Sequence, residues 1–137
     1  MKKLVKVKRV IIYTDGASRG NPGRAAIGAT LKDEQGRLIA SISRKIGRAT
    51  NNQAEYTAVI AALEMAVGLA AEEVELNSDS QLVVRQIKGQ YRVKKTTLKP
   101  LYYQVKQLQS LLHTFTINYI PREKNKEADN LANVALD

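Results

Sequence analysis

The hydrophobic pattern of this chain changes period once, near residue 50, and that change restricts the folds open to it. Before it, apolar and β-branched residues come in short runs separated by turn residues. Residues 10–14 are a continuous apolar run, as expected of a buried strand. The run is expected to end at Asp15-Gly16, and Gly20-Asn21-Pro22-Gly23 then reads as a turn. Residues 25–31 form a second strand, Asp33-Glu34-Gln35-Gly36 closes a hairpin, and residues 38–46 form the third. After residue 50 the composition becomes helical. Residues 54–70 are rich in Ala, Leu, Met and Glu, with Thr50-Asn51-Asn52 supplying capping residues. A strand at 73–76, a helix at 80–88 stopped by Gly89, a helix at 98–112, a strand at 114–120 and a helix at 127–136 follow. The order β-β-β-α-β-α-α-β-α predicts an α/β fold with one five-stranded mixed sheet, three antiparallel strands followed by parallel additions, and helices on its faces.

Length and composition exclude several chemistries. A chain of 137 residues fits a single domain with a core of its own. There is no cysteine and one histidine, His113, so thiolate zinc sites, disulfides and multi-histidine metal sites are ruled out. The lack of cysteine fits a reducing compartment. The basic N-terminus is not followed by a long apolar run, and no segment has the length of a membrane span. The expected setting is therefore intracellular, in the cytoplasm, and the expected state a free-standing monomer.

Charge points to a partner. The formal net charge is +9, unevenly spread. From Ser80 to Arg122 there is no acidic residue, while Arg85, Lys88, Arg92, Lys94, Lys95, Lys99, Lys106 and Arg122 fall in that stretch. Lys2, Lys3, Lys6, Lys8 and Arg9 form a second basic cluster. Such a distribution is a footprint for a polyanion.

Four carboxylates sit at the ends of elements. Asp15 follows the first strand and Asp79 the fourth. Glu55 lies in the first turn of the long helix, and Asp129 lies in the last helix. Each has an ordinary reading as well: a turn residue, a first-turn helix acid, a helix cap, a surface charge. Ends of central strands lie side by side, and carboxylates gathered there repel unless cations sit between them. Magnesium takes oxygen ligands, and a pair of such ions suits phosphodiester cleavage. Spacing alone does not settle whether the four converge.

The segments Tyr13-Thr14-Asp15-Gly16, Thr50-Asn51-Asn52-Gln53-Ala54-Glu55-Tyr56, Asn77-Ser78-Asp79-Ser80 and Asn125-Lys126-Glu127-Ala128-Asp129-Asn130-Leu131-Ala132 together resemble type 1 ribonuclease H, in the family's order and over nearly the whole chain. The resemblance implies the ribonuclease H-like fold. It implies that Asp15, Glu55, Asp79 and Asp129 are catalytic and bind two Mg2+ ions, with Mn2+ as a substitute. The implied reaction is hydrolysis of the RNA strand of RNA–DNA hybrids to 5′-phosphate and 3′-hydroxyl ends. Asn21, Asn51 and Asn52 are similar to residues that touch RNA 2′-hydroxyls, and an amide suits that task. Arg48 and Thr50 are similar to a pocket for a DNA-strand phosphate.

Two departures from the family bear on function. The loop before the last helix, Ile120-Pro121-Arg122-Glu123-Lys124-Asn125, lacks the histidine that many members carry, and Glu123 takes its approximate place as a catalytic candidate. The link Gly89-Gln90-Tyr91-Arg92-Val93-Lys94-Lys95-Thr96-Thr97 is short and lacks the Trp-bearing basic protrusion of some members. Within it Lys94 and Lys95 are candidates for DNA-strand contact, Tyr91 is expected to pack on the core, and His113 is expected to be structural or exposed. The alternatives to a hybrid-specific nuclease are a broader one that also cuts double-stranded RNA and a non-catalytic hybrid-binding module.

Overall fold

In the computed structural model residues 7–137 are described, so Lys2, Lys3 and Lys6 lie outside the described residues. Five strands form one sheet: β1 (Arg9–Gly20), β2 (Gly23–Lys32), β3 (Leu38–Ala49), β4 (Glu73–Ser78) and β5 (Thr114–Tyr119), in the order β3-β2-β1-β4-β5. β1 pairs antiparallel with β2 and parallel with β4; β2–β3 is antiparallel and β4–β5 parallel. The helices are α1 (Asn51–Gly68), α2 (Gln81–Ile87), α3 (Lys99–Ser110) and α4 (Lys126–Leu136), with a short 3-10 turn at Arg122–Lys124. None of them among the described residues is long and apolar enough to cross a membrane.

β1 runs past the point where turn chemistry predicted its end. Asp15 to Gly20 stay paired with β2, whose partners run from Gly28 to Gly23. The pairing of β1 with β4, by contrast, stops at Thr14 opposite Ser78. Asp15-Gly16 is thus a strand pair at the place where β1 loses its parallel neighbour. Such a place, with antiparallel strands on one side and parallel strands on the other, opens a crevice at the strand ends.

The core lies mainly between the sheet and α1, with α3 packed against α1. Val10, Ile12, Leu31, Tyr56, Leu63, Leu76 and Val105 are fully buried there. The Tyr56 hydroxyl donates to Gln86 Oε1 at 2.7 Å, a buried bond joining α1 to α2. α4 packs against β1, β2 and β3. Gly28 allows this approach: a Cβ there would meet the Ala128 carbonyl oxygen at 2.2 Å and the Ala132 nitrogen at 2.6 Å.

Local signals explain most boundaries. Thr50 caps α1: its hydroxyl accepts from the Gln53 N–H at 3.2 Å, and the Gln53 side chain accepts from the Thr50 N–H at 2.8 Å. Asn51 and Asn52 are therefore helical, not capping as expected, because the capping box fixes Thr50 as the boundary. The Asp33 carboxylate accepts from the Gln35 and Arg37 backbone N–H groups and closes the expected β2–β3 hairpin. Gly89, at φ 81°, ends α2 as expected. α1 ends at Gly68 instead of Ala70, with Ala70 itself in the left-handed region at φ 59°. The Ala70 N–H donates to Val67 O and the Ala71 N–H to Ala66 O, so the last turn closes as a Schellman motif with Ala where Gly is usual.

Candidate active site

The crevice beside β1 gathers the four acids. Asp15 and Asp79 are the next residues in parallel register after the last β1–β4 pair, so the two strand ends deliver them side by side. Ser80, not Asp79, caps α2, with its Oγ accepting from the Val83 N–H at 3.3 Å. The Asp79 carboxylate is left for the crevice. Glu55 arrives from the first turns of α1. Gly16 makes this possible, since a Cβ there would meet the Ala54 backbone carbon at 2.3 Å. With only hydrogen in that place α1 settles on β1, and the Glu55 carboxylate accepts a hydrogen bond from the Gly16 N–H.

Ligand oxygens of Asp15, Glu55 and Asp79 all lie within 4.8 Å of one another. Asp129, from α4, lines the same cleft, which has a volume of about 520 Å3. Its position is fixed through Asn125, a fully buried residue whose Nδ2 donates to the Thr14 carbonyl at 2.9 Å, one residue before Asp15. Asn133, one helical turn beyond Asp129, donates from Nδ2 to the Asp129 Oδ1 at 3.1 Å and its carbonyl at 2.9 Å. Asn133, Tyr119 and Arg122 line the cleft and were not marked by motif reading. The signal for Asn133 is its i+4 spacing from Asp129, which becomes readable only once α4 is known to face the crevice.

Burial and crowding govern the electrostatics. The Asp15 carboxyl is pushed up to about 7, mainly by burial, then by the negative charge of Asp79 and by sharing a hydrogen bond with Asp129. Glu55 is pushed well above the ordinary carboxylate range, first by burial and then by Asp15. Close, half-dehydrated carboxylates without a cation hold protons instead. The donor set is all hard oxygen, which suits a hard divalent cation, and the chemistry open to it is metal-assisted hydrolysis.

The other marked residues divide. Asn51 and Asn52 line the cleft. Asn21, in the β1–β2 turn, accepts from the Asn51 N–H at 3.0 Å, which ties that turn to the start of α1. Arg48 is exposed near the end of β3, two residues before Thr50. Lys94, Lys95 and His113 are exposed. Tyr91 does not join the core: it is exposed, its hydroxyl accepts from Arg85 at 2.8 Å, and the Arg85 guanidinium lies 5.1 Å from its ring centroid. The cation holds the ring on the surface. Glu123 is exposed in the 3-10 turn and lines a neighbouring cleft with Tyr13, Lys32 and Glu127, not the cleft of the four acids.

This constellation can be set beside known proteins. Residues 13–135 match the family described as reverse transcriptase-like. RNase H1 from the archaeon Halobacterium salinarum is 46% identical, and its crystal structure matches with a TM-score of 0.92 over 94% of this chain and 98% of that one. The chain belongs to the ribonuclease H family. A second ribonuclease H match is the N-terminal RNase H domain of Rv2228c from Mycobacterium tuberculosis, 44% identical, with a TM-score of 0.91 over 94% of this chain and 99% of that domain. A third is LC11-RNase H1, solved with an RNA/DNA hybrid: 43% identity and a TM-score of 0.88 over 93% of this chain and 96% of that one. The chain spans 65% of the full Halobacterium protein and 36% of the bifunctional Mycobacterium protein.

Proposed function

We propose that this chain hydrolyses the RNA strand of RNA–DNA hybrids with two divalent metal ions, leaving 5′-phosphate and 3′-hydroxyl ends. The observation that carries the reading is the convergence of Asp15, Glu55 and Asp79 within 4.8 Å, with Asp129 on the same cleft. When bound, the ions supply an activated water and charge support for the leaving 3′-oxygen; Mg2+ is the proposed cation and Mn2+ its substitute. Asp15, Glu55, Asp79 and Asp129 hold them. Asn133 keeps the Asp129 carboxylate turned toward the cleft.

Substrate recognition falls to groups around the acids. The amides of Asn51 and Asn52 lie at the cleft to meet 2′-hydroxyls. Asn21 uses its carbonyl on Asn51 and keeps its NH2 for the RNA strand. Thr50 spends an acceptor on its helix cap and keeps its hydroxyl proton for a phosphate of the DNA strand, beside Arg48. Lys94 and Lys95 extend the phosphate contact. Glu123 serves as proton acceptor only if its turn swings toward the acids, so Glu123→Gln tests that role on its own. The protein is proposed to act in the cytoplasm as a monomer.

A second reading, cleavage of double-stranded RNA as well, is favoured by the short Gly89–Thr97 link, which carries no tryptophan. A purely binding role is disfavoured, because all four acids are present. Digesting matched hybrid, duplex RNA and duplex DNA side by side in Mg2+ separates these. The proposal expects RNA-strand cleavage of the hybrid and intact duplex DNA; an intact hybrid would refute it.

A further inference from the structure

Strand register places three arginines in a row. Arg19 of β1 is directly opposite Arg24 of β2, and Arg24 is directly opposite Arg48 of β3. Directly opposed residues project from the same face of a sheet, with Cβ atoms about 5 Å apart. Arg19 stands four positions beyond Asp15 along β1, so the β1 end of the row lies about 13 Å from Asp15. That is roughly four nucleotide rises along the axis of a duplex.

Like charges in opposed positions destabilise a sheet. Arg19 is relieved by an ion pair with Asp137 and a 3.4 Å bond to the Leu136 carbonyl. No ion pair is found for Arg24 or Arg48 among the described residues, and both are exposed. The ladder sets two uncompensated arginines side by side, close enough at the backbone for both side chains to reach one phosphate. We propose that Arg24, which the family resemblance does not mark, forms with Arg48 a built site for a backbone phosphate of the bound nucleic acid. The inference rests on the proposed function and deepens it by adding a residue of β2 to the substrate track.

The experiment is hybrid binding by fluorescence anisotropy, in chelator so that no cleavage occurs, over a salt series, combined with thermal melts. Arg24→Gln keeps a polar side chain and removes the charge. The site predicts a several-fold loss of hybrid affinity and a fall of about one in the slope of log affinity against log salt. It also predicts a melting temperature one to three degrees higher, roughly what relief of an opposed like-charge pair is worth in a domain of this size. Arg37→Gln, at the Asp33 hairpin and outside the row, is the control and should leave the slope alone. An unchanged slope, or a lower melting temperature, overturns the site. Hybrid that binds in this Arg24-dependent way but is never cut in Mg2+ would refute the nuclease reading while leaving the phosphate site standing.

Discussion

Asp15 pairs deep burial with three other carboxylates, and its titration gives the most direct handle on the site. Its folded pKa of about 7 lies above the ordinary 3.8, so the metal-free native state binds a proton that the unfolded chain releases. Stability is then full below pH 4 as far as this group is concerned, and falls as pH rises toward 7. Under the proposed function a divalent ion replaces that proton. Melting curves in chelator should therefore drop between about pH 4 and 7 and level off above, while added Mg2+ should raise the melting temperature most at pH 8; Asp15→Asn should flatten both trends. Asn133 offers a second residue-scale test. Its removal frees the Asp129 carboxylate to rotate, and loss of such an orienting partner typically costs about 10- to 100-fold in metal affinity or activity. Asn133→Ala should shift the Mn2+ concentration for half-maximal binding upward, read by calorimetry without substrate. Motifs exposed the four acids but not Asn133, Tyr119 or Arg122, because lining a cleft depends on helix phase and strand order, which no local segment encodes. Tyr91 misled for a related reason: apolar character argued for the core, and Arg85 supplied a surface partner instead.

At the scale of elements, glycines seat two helices on opposite sides of the crevice. Gly16 admits α1 with Glu55, and Gly28, paired directly with Asp15, admits α4 with Asp129. Gly28→Ala drives a methyl into α4 backbone that cannot yield as a flexible side chain would. It should cost about 1–3 kcal/mol by overpacking, and hybrid cleavage should fall even where the protein stays folded. Denaturant melts and rates measured together check this. Ala70 predicts the opposite sign: Ala70→Gly relieves a left-handed alanine and should gain up to about 1 kcal/mol. Element order and type were legible because the change from strand-like runs to helical composition at residue 50 is strong. Boundaries were less so. Asp15-Gly16 looks like a turn locally, but ladder pairing with β2 outweighs that preference and carries β1 on to Gly20.

Across the whole molecule, charge is segregated: an acidic crevice, and apart from it the acid-free stretch from Ser80 to Arg122 and the arginine row, for which cations and phosphates are the proposed partners. Each part makes sense only with the other, since a polyanion approaches buried carboxylates only if cations intervene. In the proposed function the converging acids cut a phosphodiester through bound metal. An end-labelled RNA–DNA hybrid incubated with the wild-type chain in Mg2+, in Mn2+ and in chelator, alongside Asp79→Asn in Mg2+, tests it most directly. RNA-strand products are expected in both metals, none in chelator, and almost none from Asp79→Asn despite retained hybrid binding. Equal cleavage in chelator, or normal turnover by Asp79→Asn, would contradict it.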